Sequence, residues 1–306
     1  MTAIWSILGV AVIATVLRDI FHELFHPAGT GTMSSLLMRV GWRAFHRAAS
    51  HREGLMKLAG PSLMLLVLAV WSGSLAVGWA LVFWPYMPEA FLLSTGLAPS
   101  SNSGFLDALY LSAVTLATLG YGDISPSSTP LRMLAPAEAL VGFALLTVGI
   151  SWVLSLYPIL PQRRSVAHRL WLLRGTEQET GLSMSDCATD PDALLQDLVT
   201  ELTSIRRSMI QFPISYHFHT ADEKNSLPVT LPYLLHLSRG LEAPGNPASS
   251  RLRATVLRKA VEDLATTLNE RFLDLSRYAS VDEVLEAYAL DHLQSTSATP
   301  DHHPED

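Results

Sequence analysis

Thr118-Leu119-Gly120-Tyr121-Gly122-Asp123 stands between two long uncharged stretches, and that placement decides the fold. Before it, Leu58 to Pro88 carries no charged side chain. After it, Ala139 to Gln162 carries none, and only Glu138 interrupts the extension back to Met133. Each stretch exceeds the ~20 apolar residues that a helix needs to cross hydrocarbon. Met1 to Leu17 is a third uncharged run, at the short end of that range. It lacks the basic n-region of a signal peptide and reads as a retained span.

Of the 306 residues, 49% are hydrophobic and 16% charged, against about 25% charged in an ordinary soluble domain. The single cysteine, Cys187, excludes an internal disulfide and a cysteine-based structural zinc site. Net charge is −7, with seven basic and seven acidic residues in 1–161 but 14 and 21 in 162–306. An acidic second half argues against nucleic-acid binding, which needs a basic face.

The basic residues also set an expected orientation. Arg18, Arg39, Arg43, Arg47, Arg52 and Lys57 separate the first and second spans, and Arg163, Arg164, Arg169 and Arg174 follow the third. Only Arg132 lies between the second and third. The positive-inside rule then predicts residues 18–60 and 162–306 in the cytoplasm, with residues 86–132 and the N-terminus outside, in a plasma or bacterial inner membrane. Within the first basic segment, residues 33–58 predict a helix. Arg39, Arg43 and Arg47 form its basic stripe, and Leu36, Leu37, Val40, Phe45 and Met56 offer apolar contacts. It reads either as an amphipathic helix on an anionic leaflet or as a connector with a solvated basic face.

The 118–123 segment carries chemistry that suits a bare K⁺. To leave water, the ion must exchange hydration oxygens for a ring of protein oxygens at similar distance. A strand of L-residues cannot turn all its carbonyls inward unless alternate residues take left-handed angles, which glycine does without a Cβ penalty. Gly120 and Gly122 supply that alternation. Thr118 adds a hydroxyl at the inner end, Tyr121 turns its ring outward as a spacer, and Asp123 attracts cations at the mouth. Asn102 or Ser103 can cap a helix from Phe105 through Ala117, whose negative dipole end would aim at the ion.

This segment resembles the selectivity filter of potassium channels, whose pattern is T-V-G-Y-G with a frequent following Asp. Leu119 replaces the usual Val, which preserves the carbonyl and alters the packing behind it. The resemblance covers about residues 61–160. It implies an outer helix over 61–86, a pore helix over 105–117, a filter over 118–123 and an inner helix over 133–157. It further implies that Thr118, Leu119, Gly120 and Tyr121 bind K⁺ while Gly122 shapes the outer mouth. One filter per chain implies a homotetramer of twelve spans in a lipid bilayer.

In that family an inner-helix glycine serves as a gating hinge. Gly142, 19 residues after Asp123, matches the place, and Gly149 is a second flexible point. Close helix packing is the other reading for such glycines. Helical direction puts Thr147, Ile150, Ser151 and Leu154 toward a cavity or gate, and Pro158 and Pro161 end or bend the helix. Glu138 is an intramembrane acid, either supporting the filter from behind or serving as a packing carboxylate. Some family members pair the filter aspartate with a pore-helix Glu. Val114 occupies that place here, so Asp123 needs another partner or stays solvated.

A rival motif lies earlier. His22-Glu23-Leu24-Phe25-His26 is a literal H-E-x-x-H, which on a helix sets two imidazoles for zinc with Glu23 as general base and Asp19 as a possible third ligand. The readings are a membrane metalloprotease, an accessory metal or proton site, or plain interfacial packing.

Residues 161–293 predict a helical cytoplasmic domain. Asp190-Pro191 starts a helix to about Ile210, another spans Val229 to Arg239, and Ser250 caps one from Arg251 to Tyr278. Ser280 and Glu283 form a capping box for a last helix to Leu293. Linkers are expected at Gly175–Asp190 and Glu242–Ser249, with a disordered tail over 294–306. His217 and His219 are metal candidates or local packing residues. No G-x-G-x-x-G follows a strand, and no arginine-rich span marks a voltage sensor.

The expectation is an all-α membrane protein. It has an N-terminal span at 1–26, an interfacial helix at 27–60, the pore module at 61–160 and the helical domain beyond. It would pass K⁺ as cargo, hold no cofactor and catalyse no reaction, with a weakly selective cation channel as the alternative that Leu119 leaves open. Residues 161–293 would serve assembly or respond to an unidentified ligand or protein.

Overall fold

The computed structural model describes residues 2–25, 31–49, 56–94, 103–183, 192–220 and 222–293. His26, the Asn102 cap, the Asp190-Pro191 helix start and the tail expected to be disordered lie outside the described residues. The architecture is the predicted all-α one. Its helices are α1 (Thr2–Phe25), α2 (Thr32–Ala49), α3 (Met56–Phe83), α4 (Phe105–Leu116), α5 (Thr129–Leu156), α6 (Ile159–Thr180), α7 (Asp192–Gln211), α8 (Leu227–Leu241), α9 (Ala248–Leu268) and α10 (Val281–Leu293). Among the described residues, three helical stretches are long and apolar enough to cross a membrane: Thr2–Leu24, Leu58–Tyr86 and Thr129–Thr180. The chain divides into two compact units, one of residues 1–37 and 64–155, the other of 38–63 and 156–306.

In the first unit, the pore unit, α1 packs on α3 where two glycines meet. A Cβ on Gly9 would sit 2.5 Å from the Gly78 carbonyl oxygen, and small residues of this kind let membrane helices approach closely. Helix α4 lies between α3 and α5 in the chain. It starts at Gly104, whose N–H donates to the Asp107 carboxylate at 3.0 Å. The cap therefore comes from inside the helix, and Ser103 does not provide it. Two short strands, β1 (Phe91–Leu93) and β2 (Ile124–Pro126), pair antiparallel with Phe91 opposite Pro126. The Ser94 N–H also donates to the Asp123 carbonyl at 2.8 Å. The chain before and after the 95–122 excursion is thereby tied together.

The second unit, the helical unit, closes on a core shared by α6 to α10. Leu195, Leu198, Leu202, Ile205 and Met209 recur at alternating threes and fours and form the buried stripe of α7. Ala254, Leu257, Val261, Leu264 and Leu268 do the same on α9. The capping box at α10 forms in both directions, Ser280 N–H to Glu283 at 2.7 Å and Glu283 N–H to Ser280 Oγ at 3.3 Å. Met56, expected on the helix over 33–58, instead begins α3, ahead of the outer-helix start expected at 61. Two boundaries within this unit also differ from expectation. Helix α6 runs through Gly175 and ends at Gly181, which takes left-handed angles (φ 67°). Helix α9 stops well before Tyr278. A π-turn at Asn269–Leu273 follows it, and Asp274 turns left-handed at φ 54°. The Asn269 side chain accepts from the Leu275 N–H at 2.8 Å and donates to the Ser276 carbonyl, folding the chain back.

This unit also takes in Met38–Leu63. Trp42, which the basic-stripe reading of α2 passed over, is buried and donates from Nε1 to Asp291 at 3.1 Å. Its ring lies 5.0 Å from His217 and 5.6 Å from His292. An aromatic box on α2 thus belongs to the helical unit.

Candidate functional site

The α4 helix ends at Ala117, and the chain leaves it as an extended segment whose angles alternate in hand. Thr118 (φ 59°), Gly120 (φ 58°) and Gly122 (φ 76°) are left-handed. Glycine carries such angles freely, whereas Thr118 pays a Cβ penalty there. Threonine at this angle was not anticipated from the glycine pattern. Local bonds over-determine it: the N–H of Thr118 donates to Thr115 O at 2.9 Å and that of Leu119 to Val114 O at 2.9 Å. A Cβ added at Gly120 or Gly122 would meet nothing within 4 Å. Backbone angle, and no packing contact within the chain, therefore demands glycine at both positions.

Beside this segment lies a recess of about 630 Å³, lined by Thr118, Gly142, Phe143, Leu146, Ile150 and Val153 among others. Thr147, Ile150, Ser151 and Leu154 all lie exposed along one face of α5. The hydroxyls of Thr147 and Ser151 donate to carbonyls four residues back, at 2.9 and 3.0 Å. Gly142 and Gly149, which also line the recess, sit where α5 meets neighbouring segments. A Cβ on Gly142 would run into the Leu116 carbonyl, and one on Gly149 would lie 3.2 Å from Leu68. Gly142 thus lets the inner helix touch the end of α4, as the packing reading expects.

Two acids behind the segment have partners that the sequence did not reveal. Asp123 accepts from the Tyr110 hydroxyl at 2.8 Å. Glu138 is wholly buried and accepts from Ser112 Oγ at 2.5 Å. Its other oxygen, Oε2, has no partner among the described residues. The signal available in the sequence was the pair of hydroxyl side chains at positions 110 and 112 of a largely apolar α4. Which acid each would meet depends on how α4 and α5 cross.

Glu23 of the H-E-x-x-H motif is engaged in capping a helix. Its Oε2 accepts from Gly31 N–H at 3.1 Å and Ser34 Oγ at 2.7 Å. Asp19 accepts from Met33 N–H at 2.8 Å, Ser34 N–H at 3.1 Å and Trp71 Nε1 at 3.0 Å. Both carboxylates thus sit at the positive N-terminal end of α2. Among the described residues no three His, Cys, Asp or Glu side chains converge as a metal site.

In the helical unit, His217 lies against Trp42 and Tyr216, with ring centroids 5.0 and 5.3 Å away. Burial pushes its pKa down to about 3. His292 faces the carbonyls of Tyr288 and Tyr216 at 3.1 and 3.0 Å, and burial pushes it down to about 4. Both imidazoles are therefore neutral packing groups near pH 7.

A family model described as "Ion channel" matches residues 65–157. Over 215 residues, a stretch longer than that segment, the chain is 24% identical to the uncharacterized membrane protein YdjJ of Bacillus subtilis. That match covers 70% of this chain and 62% of YdjJ, so the chain spans about three fifths of that relative's length. Protein LctB of Geobacillus stearothermophilus is 36% identical over 92 residues, 28% of this chain and 67% of LctB. The two pore potassium channel c of Oryza sativa subsp. japonica is 30% identical over 95 residues, 31% of this chain and 20% of the rice protein. No solved structure matches the chain significantly.

Proposed function

Because the chain belongs to the ion-channel family, with a pore module of the potassium-channel type, we propose that it forms a homotetrameric, K⁺-selective channel conducting passively through residues 118–122. The observation that carries this reading is the alternation of hand at Thr118, Gly120 and Gly122 directly after the C-terminal end of α4. Alternating angles aim successive carbonyls to one side, which is what replacing a hydration shell requires. Thr118 to Tyr121 supply the oxygens, Gly122 shapes the mouth and Asp123, held by Tyr110, draws cations toward it.

What one chain leaves uncovered supports assembly of several copies, and we read four. Leu119 and Tyr121 are 57% and 67% exposed, and Phe143, Leu146, Ile150 and Leu154 are each more than half exposed. A single extended segment encircles nothing, whereas four around an axis close a ring of carbonyls and cover these side chains. The distribution of Arg and Lys supports an inward-facing helical unit and an outward-facing filter mouth. A protease reading is not favoured, since Glu23 is occupied in capping α2.

The test is K⁺ against Na⁺ flux in liposomes holding the purified protein, with Ba²⁺ as blocker. Ba²⁺-sensitive K⁺ flux well above Na⁺ flux is the expected result. Equal fluxes would leave a weakly selective cation channel and point to packing around Leu119.

A further inference from the structure

The helical unit buries a cation that has no ion-pair partner among the described residues. Arg163 on α6 is only 7% exposed. Its guanidinium donates to the Ser215 carbonyl and, at 3.1 Å, to the Tyr288 hydroxyl. Both acceptors are neutral. Among the described residues no carboxylate forms an ion pair with Arg163; the ion pairs found there use Arg169, Arg206, Arg239, Arg258 and His46. The nearby acids are engaged elsewhere. Asp291 accepts from Trp42 and Tyr216, and Asp222 accepts from the Lys224 N–H and the Asn225 side-chain amide. Burying a charge is costly unless an opposite charge meets it.

Arg163 lines a small pocket together with Arg164, Thr220, Asn225, Ser226 and Leu227. One wall is the N-terminus of α8, a 15-residue helix whose N-cap, Ser226, makes no side-chain capping bond. Pro228 has no N–H to offer, so the open donors of the first turn are those of Leu227 and Val229. Two arginines, the hydroxyl residues Thr220 and Ser226 and a positive helix end therefore line one space, with no acid among its described lining residues. The cavity is small, about 20 Å³. That suits one compact oxyanion.

We propose that this pocket binds a phosphate-type oxyanion, with Arg163 as its buried counter-charge, Arg164 as its outer clamp and the α8 N-terminus as its backbone donor. Planar guanidinium forks bind phosphate oxygens in charge-assisted pairs, and helix N-termini do so through free amides. The anion could be free in solution or the phosphate of a lipid headgroup. The site is independent of the filter and does not depend on which ion the pore passes.

Inorganic phosphate is the first probe, titrated at fixed ionic strength into the full-length protein in neutral detergent, with chloride as reference. Thermal unfolding should shift upward with phosphate. Arg164→Gln, an exposed position safe for folding, should weaken the response by about tenfold, and Arg163→Lys should weaken it while keeping the fold. Arg207→Gln, an exposed arginine elsewhere, should leave it unchanged. A second arm compares nanodiscs of phosphatidylcholine with and without phosphatidic acid. Stabilisation there alone, lost in Arg164→Gln, assigns the phosphate to a lipid. No response to either probe, or equal responses from wild type and Arg164→Gln, overturns the site.

Discussion

Residues 118–122 and the α7 and α9 stripes use side chains in opposite ways. In the first, Thr118 through Gly122 are all exposed within the chain, and what matters is the direction of the backbone. In the second, Leu198, Leu202, Leu257 and Leu264 are fully buried, and what matters is volume. The pore unit leaves Leu119, Tyr121, Phe143 and Ile150 exposed, while the helical unit closes its own core. Substitutions should therefore separate function from stability, a few in the filter abolishing flux without unfolding and many in the bundle doing the reverse.

The largest effect is expected from Gly120→Ala. A left-handed L-residue costs about 1–2 kcal/mol in each copy, so K⁺ flux should fall by about a hundredfold or more, with the unfolding midpoint unchanged. If flux survives, the filter reading fails at its centre. Leu257→Ala should remove about 2–5 kcal/mol from the helical unit, read by chemical denaturation, with K⁺ over Na⁺ preference intact. A change in selectivity would show that the two regions are not separable in this way.

Acid should act on the helical unit through its two buried imidazoles. With folded pKa values pushed down to about 3 for His217 and about 4 for His292, from an ordinary 6.5, the unfolded chain binds protons first. Stability is then full above pH 6.5 and declines toward pH 4 to 3, each histidine contributing up to about 1.4 kcal/mol per pH unit. Unfolding midpoints measured from pH 7.5 to 4.5 check this, and His217→Phe should flatten the slope. Ser112→Ala should cost about 1–3 kcal/mol by stripping the buried Glu138 of its donor, seen as a lower melting temperature of the pore unit. Smallest is Tyr110→Phe, which frees a half-buried Asp123 and should alter single-channel conductance only a few-fold.

Much of this was legible in order along the chain. Uncharged length fixed the three spans, because a hydrocarbon core tolerates little else. The glycine spacing at 120 and 122 announced alternate left-handed angles, and Ser280 with Glu283 announced the start of α10. All of these are local properties, set by a residue and its near neighbours. Where Glu138, Asp123, Asp19 and Glu23 would find their donors was not local. The motif His22-Glu23-x-x-His26 read as a possible zinc site, yet Glu23 caps α2 because the chain turns back to bring Gly31 and Ser34 to it.

Sequence by itself determined which segments cross the bilayer, that α4 ends in a strand of alternating hand, and which stripes of α7 and α9 are apolar. Only the tertiary structure decided that Trp42 joins the helical unit, that Ser112 meets Glu138, and that Arg163 is buried with no ion-pair partner among the described residues. The reason is physical. Helix and strand periodicity and backbone angle depend on neighbours in sequence, whereas pairing of polar groups depends on how helices distant in sequence cross.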